Sequence, residues 1–448
     1  MKKISAVIVI LLILIITSAL IGCVDMSFLG MSDGVEDLTF SPIENQGRRD
    51  ILIDEDGEWQ TIYSTQEIDT VPLKAETETQ AADSDTTMEV EEDKEEISRE
   101  TRLKFLAAGD NIIHMTMIED AKERAENGGF NFRDMYKHIE DDIKAADIAF
   151  INVETPIAGD EFPYTGYPNF NTPKENGIAI VDIGFDIINI ANNHMLDKWE
   201  RGYINHINFW ENQDVLLLGG FKDEEDFETV RIYNRNGISI AFLTYTYGTN
   251  GMFLPAESKM VIPWLNAEVM ERQIKAARSQ ADLLMVSVHW GDEDKFSANA
   301  TQRNLVQMMV NNGVDVVIGH HPHVLQETLW IDRPDGGRTL TAYSLGNFIS
   351  AQLYGKNMIG AMLGFDIVKA EDEKVRIENA EIVPVMTHMN ENRRELQVYN
   401  FKDYTEELAK QHYCAINDPV FSYDYIMNLI KDTVLPEFLS NFYGGYIE

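Results

Sequence analysis

The chain has 448 residues, 44% of them hydrophobic, and a formal net charge of −38. That acidity argues against a nucleic-acid partner, because no basic stripe is available to neutralise phosphates. The length and apolar content suffice for one large domain or two medium ones with an ample core.

The N-terminal stretch MKKISAVIVILLILIITSALIGCV opens with Lys2 and Lys3 and then carries no charge from Ile4 to Gly22. It ends Leu20-Ile21-Gly22-Cys23, which resembles a bacterial lipoprotein signal, with Cys23 as the lipidated first residue after cleavage. The other reading is an uncleaved membrane anchor, since the apolar run is nearly long enough to span a bilayer. Both readings place the remainder on the extracytoplasmic face of the membrane. With Cys23 lipidated, Cys414 has no intrachain partner, and the folded part must stand on its core alone. Residues 24–100 are dense in acid and poor in large apolar side chains, which predicts a disordered, self-repelling linker. A short apolar patch, Ile51 to Ile53 with Trp59 and Ile62, is the one candidate for a local hairpin there.

From Arg102 the pattern becomes α/β. Strands are predicted at RLKFLAAGD, DIAFINVE, FDIINIANNH, VLLLGG, GISIAFLTY, ADLLMVSVHWG, VDVVIGHHPH and LTAYSLGNF. Between them, helices are predicted over 134–146, 199–212, 266–278 and 299–312, the last stopped by Gly313. Continuous apolar strand runs alternating with helices indicate strands buried on both faces. The acidic run DEEDFE near Asp223 reads as a solvated loop. The loop 161–173, EFPYTGYPNFNTP, packs aromatics among Gly and Pro, and either lines a pocket mouth or pins itself to the domain. Residues 390–448 contain amphipathic pieces expected to pack as a C-terminal helical cap on the main domain, 101–389.

The strand ends carry the chemistry. They close on Asp110, on Asn152 and Glu154, on Asn192, Asn193 and His194, on His289, on His321 and His323, and on Asn347. In open α/β sheets, ligands bind in the crevice beyond the carboxyl ends of the strands. Carboxylates, carboxamides and imidazoles without a thiolate suit Mn, Fe or Zn. Three of the chain's ten histidines fall in Gly319-His320-His321-Pro322-His323. An extended backbone there would point the imidazoles of His321 and His323 the same way, leaving His320 as a packing or supporting residue.

Taken in order, Gly109-Asp110, Asn152-Val153-Glu154, Asn192-Asn193-His194-Met195-Leu196-Asp197, His289-Trp290-Gly291, His321-Pro322-His323-Val324 and Ser344-Leu345-Gly346-Asn347-Phe348 resemble the bacterial capsule-synthesis CapA family. The resemblance covers about residues 102–385. It implies a calcineurin-like metallophosphoesterase fold, a four-layer αββα sandwich, and a role in poly-γ-glutamate synthesis or export. By the same resemblance Asp110, Glu154, Asn193, His289, His321 and His323 are metal ligands for one or two divalent ions, and His194 assists a leaving group. Asp197 would orient His194, although an acid at this point is equally an ordinary helix N-terminal residue. His114, Asn152, Tyr167 and Asn347 are the candidate substrate contacts. Two departures stand out. Phosphoesterases begin Asp-x-His, whereas Asp110 is followed by Asn111, Ile112 and Ile113 before His114, and Glu154 replaces a bridging aspartate. The expected function is thus an envelope-anchored exopolymer protein, either a metal-dependent hydrolase or a non-catalytic accessory. Its partners would be an anionic polymer such as poly-γ-glutamate and membrane-bound polymer synthase subunits.

Overall fold

The computed structural model describes residues 51–53, 59–61, 100–126, 128–371 and 374–439. It divides into two compact units, Met1–Glu92 and Asp93–Glu448. The described part of the first is an antiparallel hairpin of Ile51–Ile53 (β1) and Trp59–Thr61 (β2), within the apolar patch noted above. The signal segment 1–23, Cys23 and the rest of the acidic linker to residue 99 lie outside the described residues.

In the second unit, strands Thr101–Asn111 (β3), Ile148–Val153 (β4), Ile187–Asn189 (β5) and Leu216–Leu218 (β6) run parallel in one sheet. A second sheet starts at Arg231–Arg235 (β7) and continues through Ile238–Thr246 (β8), Leu283–His289 (β9) and Val316–His320 (β10). Thr328–Asp332 (β11) and Arg338–Ala342 (β12) complete it in the order β11-β12-β10-β9-β8-β7. The chain then returns to the first sheet through Asn347–Ile349 (β13), Ile359–Lys369 (β14), Arg376–His388 (β15) and Gln397–Asn400 (β16). That sheet's order is β16-β15-β14-β3-β4-β5-β6, with β13 also pairing β3.

The sheets face each other. Phe105 of β3 and Phe242 of β8 stack with centroids 6.4 Å apart. Alternation along β8 sends Ile240 and Phe242 into this shared core. Ala241, Leu243 and Tyr245 instead join a separate cluster with Met270, Ile274, Val306 and Met309. Those last residues come from helices on the outer face, which follow Met115–Glu123 (α1), Glu140–Lys144 (α2), Lys174–Asp182 (α3), Trp199–Glu211 (α4) and Glu224–Glu228 (α5). They are Ala267–Arg278 (α6) and Ala300–Asn311 (α7). Asn266 caps α6, Asn299 and Gln302 form a capping box on α7, and Gly313 (φ 81°) ends it. The arrangement is the expected four-layer α/β sandwich.

Three local expectations need correction. The helix expected over 134–146 is a 3-10 turn at Arg133–Met135 followed by the short α2. The interruption places His138 against Tyr399, with ring centroids 4.2 Å apart, so a tertiary contact overrides the apolar period. The acidic run near Asp223 is a helix, because Asp223 accepts from the Asp226 N–H as its cap. Residues after 390 are not wholly helical. β16 precedes Glu406–Gln411 (α8), Tyr413–Asn417 (α9) and Tyr423–Thr433 (α10).

Candidate metal centre

Strand register assembles the centre. In the first sheet Asn347 pairs with Asp110, Asp110 with Asn152, and Asn152 with Asn189, so four polar side chains form one row. In the facing sheet Thr246, His289 and His320 form the matching row. Because side-chain direction has period two, a one-residue slip in any strand would turn its member of the row away. Two glycines allow the close approach. A Cβ on Gly109 would lie 2.1 Å from the Gly346 carbonyl oxygen, and one on Gly319 would lie 1.9 Å from that of Tyr343.

Asp110 and Glu154 are buried at the heart of the cluster. Asp110 Oδ1 accepts from Asn152 Nδ2 at 2.8 Å and lies 3.1 Å from His320 Nδ1. Its Oδ2 accepts the His321 backbone N–H at 3.1 Å and sits 3.3 Å from His323 Nδ1. Glu154 Oε1 is 3.6 Å from His323 Nε2 and 3.7 Å from His289 Nε2. Neither Glu154 oxygen has a hydrogen-bond partner, nor do the buried His289 Nδ1 and His321 Nδ1. Two ligand groups overlap here, Asp110–Glu154–His289 and Glu154–His321–His323, each with donor atoms within 4.8 Å of one another. Glu154 belongs to both. Buried carboxylates are ordinarily hydrogen-bonded or coordinated, so this unpaired oxygen pair between imidazoles fits divalent cations.

The electrostatics agree with that donor set. Burial pushes the Glu154 carboxyl well above its ordinary value, and the Asp110 charge adds to the rise. Burial also acts to raise Asp110, but the hydrogen bonds from His320 and His323 outweigh it and hold that carboxyl well below its ordinary value. Burial holds His289 well below the usual imidazole range and brings His321 down to about 3, leaving both as neutral donors. His323 goes the other way. Burial opposes its charge, yet Glu154 and Asp110 carry it up to about 9.

Contrary to the extended backbone considered for His321-Pro322-His323, both histidines are left-handed. His321 has φ 98° and His323 φ 57°, unusual for non-glycine residues and more so for the residue before Pro322. The imidazoles converge through this strained turn, a conformation that persists where surrounding contacts over-determine it. His320 instead faces into the sheet gap, stacked on Phe150 at 5.9 Å.

The remaining predicted residues surround the cluster. Asn193 Oδ1 lies 3.0 Å from His289 Nε2. His194 Nδ1 lies 2.8 Å from Asp197 Oδ2, which also accepts the Phe170 N–H. Asn152 Nδ2 donates to Asp110, and Asn347 Oδ1 lies 3.1 Å from His323 Nδ1, so both amides are buried beside candidate ligands and do not face solvent. His114 Nδ1 accepts the Ala351 N–H at 3.2 Å. Tyr167 is 78% exposed at the tip of its loop, while Phe170 pins that loop edge-on against His114 and His194.

Other contributors are not visible as motifs. Asn250 (φ 51°) reaches from the loop after β8 to Asn193 Nδ2 at 3.3 Å and His194 Nδ1 at 3.4 Å. Tyr247 lies over His321, with centroids 4.5 Å apart. Asn189 takes a hydrogen bond from Thr244 across the sheet gap at 2.6 Å and donates to Asn152 at 2.8 Å, extending the support of Asp110 into the opposite sheet. The Asn-Gly pair at 250–251 was the one available signal, marking a left-handed turn near the pocket.

Facing α/β sheets with a carboxylate–imidazole cluster at their shared strand ends present a donor set compatible with divalent cations. The chain belongs to the bacterial capsule synthesis protein PGA_cap family, whose model matches residues 104–352. It is 28% identical over 269 residues to the capsule biosynthesis protein CapA of Bacillus anthracis, covering 57% of this chain and 64% of that one. It is 27% identical over 238 residues to the PGA biosynthesis protein CapA of Bacillus subtilis (strain 168), covering 52% and 61% respectively. The match thus spans less than two thirds of the curated relatives' length. Among solved structures the chain is similar to the NAD nucleotidase NadN of Haemophilus influenzae, at 11% identity and TM-score 0.39, covering 75% of this chain and 57% of that one. It is also similar to a putative 5'-nucleotidase from Staphylococcus aureus, at 11% identity and TM-score 0.40, covering 63% and 54%. No helix among the described residues is long and apolar enough to cross a membrane.

Proposed function

We propose that this chain is an envelope-anchored capsule-synthesis protein that acts on an anionic exopolymer such as poly-γ-glutamate, with its buried cluster serving as a hydrolytic two-cation centre. The observation that carries the reading is Glu154, whose unpaired carboxylate is shared by two overlapping ligand groups. Asp110, His289 and Glu154 would hold one ion, and Glu154, His321 and His323 the other, with Asn193 beside His289. Divalent ions bound there would acidify water and neutralise charge developing on the substrate oxygens. The chain's own residues do the rest. Asp197, at 2.8 Å, fixes a proton on His194 Nδ1 and leaves Nε2 to deliver or hold a second proton for a leaving group. Phe170 packs edge-on against that ring. Lipid attachment at Cys23 would hold the domain at the extracytoplasmic face, near membrane-bound synthase subunits.

A second reading is a non-catalytic accessory that uses the pocket for recognition. It is favoured by Ile112, a buried apolar residue where the phosphoesterase Asp-x-His pattern has histidine. Complementation tests the hydrolytic reading. In cells lacking their own copy, wild type is expected to restore surface polymer, while Asp110→Asn and His289→Ala fail at equal protein level. Full restoration by both variants would overturn it.

A further inference from the structure

Arg394 is neutralised by Glu119 and Glu123. Its neighbour Arg393 is not. Among the described residues no carboxylate lies within ion-pair distance of Arg393, and its one protein acceptor is the Ala351 carbonyl, 2.9 Å from Nη2. Its Nε is buried without a partner. A guanidinium offers five donors in a planar fork, so most of its binding capacity is unused by the protein. In a chain of net charge −38, a partly buried arginine without an acid beside it stands out.

Its position matters more than its charge. Ala351 is held at both ends, its N–H donating to His114 Nδ1 at 3.2 Å and its carbonyl accepting from Arg393. His114 lies edge-on to Phe170 at 5.6 Å, and Phe170 edge-on to His194 at 4.8 Å. Arg393 is thus one residue removed from the ring of side chains bordering the cluster, near enough for its charge to oppose protonation of His114. The aromatic ring of Tyr413, 5.7 Å from the guanidinium carbon, and a left-handed backbone (φ 57°) hold it there. It lies outside the residues matched by the family model.

We infer that Arg393 is an oxyanion-recognition residue that receives a carboxylate or phosphate of the ligand beside the candidate metal centre. The fork geometry suits either group bidentately. A cation placed here also resolves how an acidic protein takes an acidic ligand: repulsion at range is screened within about 8 Å at physiological salt, and local pairing then decides. The inference rests on the proposed function only for the identity of the ligand.

The test is calorimetric titration of the full chain with inorganic phosphate, with γ-linked triglutamate, and with the triglutamate's neutral amide, alongside metal analysis of the same samples. Wild type is expected to bind at least one anion saturably, and the amide at least tenfold more weakly. Arg393→Gln should weaken anion binding tenfold or more and erase the preference over the amide. Arg393→Lys should restore part of it, which a purely structural role for the Ala351 contact would not produce through ligand charge. Preference for phosphate or triglutamate identifies the source of the oxyanion. Equal anion affinity in wild type and Arg393→Gln, or no saturable binding of either anion by wild type, overturns the inference. Arg393-dependent binding that persists in metal-free samples supports the inference independently of the metal-centre reading.

Discussion

Glu154→Met should reverse the order of stability with and without a cation. Glu154 is 1% exposed, and neither of its oxygens is hydrogen-bonded. Leaving a buried polar group unpaired costs about 1–3 kcal/mol, more when it is charged. Methionine of similar length removes that cost, while His323 and His289 lose a carboxylate neighbour at 3.6 and 3.7 Å. The net expectation in the metal-free protein is a gain of roughly 1–2 kcal/mol. With a divalent ion at a hundred times its dissociation constant, wild type gains about 2.7 kcal/mol. The variant, lacking the residue common to both ligand groups, should gain little. Because burial raises the Glu154 carboxyl, this residue's own contribution to stability without metal should be largest below the ordinary carboxylate range and fall as pH rises toward the raised value. The advantage of the variant should therefore shrink in acid. Denaturant unfolding with chelator, then with added Mn or Zn, measures both terms. A variant less stable than wild type without metal, or equally stabilised by the ion, would refute the reasoning.

Asn189→Ala should strand the Thr244 hydroxyl and the Asn152 carbonyl oxygen. The expected loss is roughly 2–5 kcal/mol in denaturant unfolding, with weaker metal retention because Asp110 loses its support; a loss below about 1 kcal/mol would count against the relay. His206, buried and accepting the Ile157 N–H, has its imidazole pulled down to about 3 by burial. Its contribution is complete above the unfolded value near 6.5 and disappears as pH falls toward 3, at up to about 1.4 kcal/mol per pH unit. His206→Gln should flatten that slope in unfolding measured from pH 7 to 4. If the centre is hydrolytic, Asp197→Asn should lower kcat about a hundredfold with metal content unchanged, measured as turnover of a phosphoester probe beside elemental analysis.

Much of the framework was legible because its signals are local. The caps Asn266 and Asn299 and the stop at Gly313 mark α6 and α7 directly in the sequence, and unbroken apolar runs mark β9 and β10. Polar residues at strand ends identified the cluster because parallel register brings those ends together. Other features depend on distant contacts. Asn189 sits in an apolar strand with nothing to distinguish it until Thr244 meets it across the gap. The turn at His321–His323 follows from contacts such as the Asp110 bond to the His321 N–H, against the usual preference before proline. The interruption of the 134–146 segment reflects Tyr399, more than 250 residues downstream. Nothing in Asn392-Arg393-Arg394-Glu395 distinguishes the two arginines, because the acids that pair with Arg394 come from a helix more than 250 residues upstream.

Elemental analysis of the purified full chain, before and after reconstitution, tests the central claim most directly. The account predicts about two divalent Mn, Fe or Zn ions per chain, at most one in His321→Ala/His323→Ala, and loss of both in Glu154→Met. A wild-type protein that takes up no stoichiometric metal after reconstitution, or a Glu154→Met variant that keeps two ions, would contradict it.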